Sequence, residues 1–186
     1  MERSSTLRFV SDSPARGQRA ARAFWEGSAA QAGRPMAGSV FGGSEAVLDT
    51  FRAPISGQLS RILAHGQAVG AVISSRMWQT AVGPADGVIV GGRIDAVQGE
   101  FSLVTDGNVE CIMIVKSLKD VRGRNELTPF AWPGEHVRAG QRLVTCHGDG
   151  MVVELLFSLF SSQRIGMLFP NRSYVTAGQN VLQVFG

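Results

Sequence analysis

Ala53-Pro54-Ile55-Ser56-Gly57 returns as Gly83-Pro84-Ala85-Asp86-Gly87, and Gly134-Glu135-His136-Val137-Arg138-Ala139-Gly140-Gln141 returns as Arg172-Ser173-Tyr174-Val175-Thr176-Ala177-Gly178-Gln179. Internal repetition constrains the architecture before any single residue is interpreted. Both echoes are punctuated by Gly and Pro and flanked by short apolar runs, which is the grammar of strands joined by tight turns. The first echo recurs after 30 residues, counted between Pro54 and Pro84, and the second after 38, counted between Gly140 and Gly178. Unequal offsets imply two interleaved copies rather than a tandem array, and so a small, twisted, all-β scaffold.

Working outward, runs of alternating or β-branched apolar residues predict strands over 58–63, 69–74, 87–91, 100–105, 109–115, 142–146, 151–157 and 181–185. Asp106-Gly107 between Val104 and Val109 is a hairpin signal, because glycine supplies the positive φ that such turns need. Residues 161–168 read equally as a helical turn or a loop. The run Cys111-Ile112-Met113-Ile114-Val115 is apolar throughout, which predicts a strand buried on both faces.

The 186 residues suffice for one domain with a core, and 44% hydrophobic against 18% charged residues is a globular balance. Residues 1–45 are rich in Arg, Ala, Ser and Gly and read as an N-terminal arm; residues 46–186 form the β domain. The first 34 residues carry Arg3, Arg8, Arg16, Arg19, Arg22 and Arg34 against Glu2, Asp12 and Glu26, an excess equal to the whole formal charge of +3. The basic excess therefore sits on the arm. Without a dense cationic patch interleaved with aromatics on the domain, nucleic acid is not an expected partner. Within residues 14–25 the arginines fall at i, i+3 and i+6 while Ala20, Ala23, Phe24 and Trp25 gather elsewhere, a pattern for a short amphipathic helix that docks on a partner or a neighbouring subunit. No run approaches the roughly 20 apolar residues of a membrane span, and no signal-peptide core is present, so a cytoplasmic location is expected.

The string Val82-Gly83-Pro84-Ala85-Asp86-Gly87-Val88-Ile89, followed by Phe101-Ser102-Leu103 and Asp106-Gly107-Asn108-Val109-Glu110, resembles the glucose-type IIA domain of the bacterial phosphotransferase system. The resemblance covers residues 50–186 and implies a barrel-sandwich hybrid, or duplicated hybrid motif. The same turns are similar to those of LytM-type zinc peptidases, and the turn ending in Gly140-Gln141 is similar to lipoyl carriers and to adaptors of envelope-spanning secretion or transport assemblies.

The chemistry of each family needs residues this chain lacks at the matching places. Phosphotransfer needs a histidine nucleophile and a facing histidine; the family spacing places them at Gly99 and Ile114, while His65, His136 and His147 fall in turn-like segments. A catalytic zinc needs three protein ligands, and the matching strand reads Met151-Val152-Val153-Glu154-Leu155. Glu154 is read as an exposed strand residue or a paired charge. A carrier needs its lysine at a hairpin tip, but Lys116 and Lys119 follow a long apolar strand. Cys111 and Cys146 lie in strand-like runs and read as buried free thiols; His147 neighbours Cys146 but, on a strand, points to the opposite face. Asp86 and Asp106 precede glycines and read as turn caps rather than paired acids.

No catalytic, metal or cofactor residue is assigned, and no cofactor is expected. The resemblance without its histidines implies a non-catalytic, IIA-like structural or regulatory protein-binding module that is part of a homo-oligomer. The surplus of large apolar residues names Phe24 and Trp25 on the arm, and Ile114, Leu156, Phe160 and Phe169 on the domain, as interface residues. The alternatives are the envelope-assembly adaptor and, behind it, a phosphocarrier or a degenerate LytM-type peptidase.

Overall fold

A computed structural model of the chain describes residues 46–118 and 126–186. The arm, with Phe24 and Trp25 and the helix expected over residues 14–25, lies outside them, as does Lys119.

The described residues form strands and turns alone: β1 (Val47–Arg52), β2 (Gly57–Ala64), β3 (Gln67–Ser75), β4 (Thr80–Val82), β5 (Gly87–Ile94), β6 (Gln98–Thr105), β7 (Glu110–Leu118), β8 (Leu127–Pro129), β9 (His136–Val137), β10 (Arg142–Cys146), β11 (Gly150–Ser158), β12 (Arg164–Met167), β13 (Tyr174–Val175) and β14 (Asn180–Phe185). They make one eight-stranded sheet, ordered β13-β2-β3-β11-β7-β6-β5-β9, and two three-stranded sheets, β1-β14-β12 and β4-β10-β8. Every pairing is antiparallel. The expected all-β class holds. Residues 161–168, ambiguous in sequence, contain a tight turn and then β12.

The two echoes of the sequence become two copies of one hydrogen-bond pattern. Gly140 N–H donates to the Gly83 carbonyl at 2.8 Å and Gly178 N–H to the Ala53 carbonyl at 2.9 Å; Gly83 N–H donates to the Gln141 carbonyl at 2.7 Å and Ala53 N–H to the Gln179 carbonyl at 2.8 Å. Gln141 Oε1 accepts from Arg138 N–H and Gln179 Oε1 from Thr176 N–H, both at 3.0 Å. Both turns rest on glycine in the left-handed region, Gly140 at φ 87° and Gly178 at φ 84°, which a side chain would strain. The copies also reach across to each other: Arg52 N–H donates to the Pro84 carbonyl at 2.7 Å and Val82 N–H to the Pro54 carbonyl at 2.9 Å. Proline has no N–H, but its carbonyl is free to accept from the opposite copy.

These correspondences make the strand order of the large sheet symmetric. β13 answers β9, β2 answers β5, β3 answers β6, and β11 answers β7. The internal two-fold passes between β7 and β11, whose register runs from Gly150↔Leu118 to Ser158↔Glu110 and is centred on Glu154↔Ile114.

The large sheet has one dry face. Along β11, Met151, Val153, Leu155 and Phe157 are buried, while Val152, Glu154, Leu156 and Ser158 are half-buried, the alternation a pleated strand imposes. β7 alternates in the same way: Cys111, Met113 and Val115 are buried and Ile112 and Ile114 half-exposed, so the expectation of a strand buried on both faces is corrected. Five consecutive apolar residues concealed an ordinary alternation because the open face is itself apolar here. The three-stranded sheets pack on the dry side. Phe51 of β1 meets Phe157 of β11 edge-on, with ring centroids 4.7 Å apart and an interplanar angle of 81°. β14 adds Val181, Leu182 and Val184 to the same core. Burial of each such side chain contributes roughly 1.5–3 kcal/mol.

Candidate functional site

The two-fold and the alternation together place a distinctive set of side chains at the centre of the open face. Across the sheet, Val72 of β3 lies opposite Glu154 of β11, Glu154 opposite Ile114 of β7, Ile114 opposite Glu100 of β6, and Glu100 opposite Arg93 of β5. One step along, Gly70, Leu156, Ile112 and Ser102 form the next row. Val72, Ile112, Ile114 and Leu156 are thus an apolar centre, each half-buried by its neighbours. Two ion pairs border it. Lys116 Nζ lies 2.6 Å from Glu154 Oε1, and Arg93 Nη2 lies 3.1 Å from Glu100 Oε2. Glu154 is therefore a paired charge, as one of its two sequence readings had it. Lys116 lies within β7 rather than at a hairpin tip.

The nucleophile positions of the IIA resemblance do not face each other. Ile114 is on the open face, but the direction a side chain at Gly99 would take leads to Ile94, Phe101 and Leu127, within 3.4–3.7 Å on the dry side. Glu100 stands opposite Ile114 instead. None of the chain's three histidines is near this centre. His65 is in the turn between β2 and β3, and His147 follows β10. His136 sits on the edge strand β9, opposite Val88, with its Nε2 3.1 Å from Asp106 Oδ1.

The four domain residues expected at an interface separate into one pair and two isolated positions. Ile114 and Leu156 lie together on the open face. Phe160, 69% exposed, stands beyond the end of β11, where its N–H donates to Gln163 Oε1 at 3.0 Å. Phe169 packs half-buried against the core. Sequence reasoning did not single out Ile112 and Val72, although their two-residue spacing from Ile114 and from buried Gly70 was the signal that could have found them. It also missed Met77 and Trp78, each 67% exposed in the turn between β3 and β4.

Elsewhere, polar side chains tie distant loops together. Asp86 Oδ1 accepts from Ala139 N–H, and Ser56 Oγ from Ala177 N–H, both at 2.9 Å, so Asp86 ties a distant loop rather than capping its own turn. Asp106 likewise reaches His136 instead of its own turn. A shallow cleft of about 250 Å³ is lined by Asp49, Arg52, Asp86, Asp106 and Asn180 among others. Among the described residues no group of three or more His, Cys, Asp or Glu could hold a metal ion. Cys111 and Cys146 are buried free thiols, as expected. Burial, reinforced by the nearby Asp49 charge, pushes the Cys111 thiol far above its ordinary range. Cys146 Sγ is 3.1 Å from Ser117 Oγ and takes an N–H from Gly148 at 3.5 Å. Among the described residues no helix is long and apolar enough to cross a membrane.

Compared with known proteins, the chain matches no protein-family model and no curated protein.

Proposed function

We propose that residues 46–186 are a non-catalytic, IIA-like protein-docking module that self-associates through the open face of the eight-stranded sheet. The observation that carries this reading is the apolar centre itself: Val72, Ile112, Ile114 and Leu156 occupy the middle of the open face, with Ile114 at one of the two positions where the family's phosphotransfer would require a histidine. The carboxylates beside the centre, Glu154 and Glu100, are each engaged by a cation. An apolar centre bordered by paired charges is the composition of an interface, with the desolvated side chains contributing affinity and the ion pairs at the rim setting orientation. The likeness to the IIA family is supported by the duplicated turns and the central strand pair, and it supplies no activity once its histidines are missing.

The test is the mass of the full chain in solution by light scattering, against a single chain of 19.8 kDa. The wild type is expected above the single-chain mass, and Leu156→Lys is expected to return it to that mass with the circular-dichroism spectrum unchanged. A wild type that scatters as one chain at every concentration, or an assembly indifferent to Leu156→Lys, would sink the proposal.

A further inference from the structure

We infer that the open face is covered by residues 16–25 of a second copy of this chain, an inference that rests on the docking reading above and names its occupant. The face states what it needs. Around Ile112, Ile114, Val72 and Leu156, the register places Glu154 and Glu100 on either side of Ile114 and Glu110 at the start of the same strand, with Lys116 and Arg93 as the accompanying cations. An occupant that fits carries large apolar side chains for the centre and a positive charge for Glu110, which no ion pair among the described residues engages.

The chain outside the described residues contains such a segment. Arg16, Arg19 and Arg22 precede Phe24 and Trp25, and no acidic residue falls among residues 14–25. Wound as a helix, the segment presents its arginines along one stripe and keeps the aromatic pair at its end. Tryptophan and arginine are the residue types that dominate interface energetics, because one buries a large rigid surface and the other pairs in a fixed fork with carboxylates.

Length and point of attachment agree. Twenty-one positions separate Trp25 from Ala46, a tether of about 25 Å on average and up to roughly 70 Å extended. The tether joins β1, and β1 packs behind the open face, since its Phe51 meets Phe157 on the dry side of the sheet. The segment thus leaves from the side of the sheet opposite its own open face, and a tether of this length lets it reach a second copy. A reciprocal exchange of arms satisfies both copies at once and closes as a symmetric pair.

The experiment uses the full chain with Trp25→p-benzoylphenylalanine, irradiated and mapped by mass spectrometry. The expected product is a two-chain adduct whose cross-linked peptide falls within residues 110–118 or 150–158. In parallel, Trp25→Ala should weaken self-association at least about tenfold, the loss typical of a truncated interface tryptophan, without moving the domain's unfolding midpoint at concentrations where both proteins are single chains. Adducts confined to one chain, adducts mapping outside those strands, or an unchanged dissociation constant for Trp25→Ala would each overturn the assignment. If Leu156→Lys dissolves the assembly while Trp25 adducts map elsewhere, the occupant is wrong and the docking reading stands. If Leu156→Lys changes nothing, the docking reading itself falls.

Discussion

Asn108 takes the left-handed conformation in the turn between β6 and β7, at φ 58°, while Gly107 beside it does not. The Asp106-Gly107 pair correctly marked the turn but for the wrong reason. Gly107 is needed because a Cβ there would lie 2.5 Å from the Leu48 carbonyl oxygen and 3.0 Å from Asp49 Oδ2, a long-range contact invisible in the local sequence. Gly107→Ala is therefore expected to cost about 1–3 kcal/mol in urea denaturation, as overpacking does. Asn108→Gly should stay within about 0.5 kcal/mol of wild type, since glycine adopts that φ freely at some cost in chain entropy. The reverse ranking would return the positive-φ role to Gly107. At Cys111 the buried thiol keeps its proton well past its ordinary value near 9. Below that pH both folded and unfolded chains are protonated and the thiol adds no pH dependence. Above it the unfolded chain loses a proton that the folded chain retains, so stability falls by up to about 1.4 kcal/mol per pH unit. The difference in slope between wild type and Cys111→Ala from pH 9 to 11 measures this, and equal slopes would refute it.

Among the elements, the long strands were legible because each carries its own alternation, as β11 does with Met151, Val153, Leu155 and Phe157 on one side. The short ones were not. β9 and β13 have two residues each, and their extended conformation is set by Gly87 and Gly57 of the neighbouring strands rather than by any pattern of their own. Half of the candidate site could be read in the same way: Ile114 and Leu156 declared themselves by size, whereas their joint placement depends on the pairing of strands 40 residues apart, which periodicity does not encode. What the echoes did encode is equivalence. Ser56 and Asp86 perform one task in the two copies, accepting the N–H of Ala177 and of Ala139. Ser56→Ala and Asp86→Ala should each cost about 0.5–1.5 kcal/mol. Each should also speed hydrogen exchange at its own amide alone, and because the two bonds share no partner the double variant should be additive within about 0.5 kcal/mol. Faster exchange at both amides from one substitution would mean that the loops are coupled.

At the scale of the molecule, interleaving leaves neither copy a core of its own. Although β1 pairs with β14 and β4 with β10 within one copy each, the Pro54 and Pro84 carbonyls are each taken by an N–H of the other copy. The central strands β7 and β11 meet across the two-fold, so opening either copy exposes the dry face of both. With so many pairings between distant parts of the chain, folding is expected to be slow, on the order of milliseconds to seconds, because loop closure must precede the contacts that repay it. Residues 46–186 should unfold as one cooperative unit, with far-ultraviolet circular dichroism and the fluorescence of Trp78 and Trp132 giving the same midpoint in urea. Trp78 stands in the turn before β4 and Trp132 before β9, which puts the two reporters in different parts of the repeat. To keep Trp25 from contributing signal, the measurement belongs in the Trp25→Ala chain at a concentration below its dissociation constant. Two separated midpoints would show that one copy can stand without the other, and the symmetric strand order would then be a resemblance between halves rather than the basis of a single core.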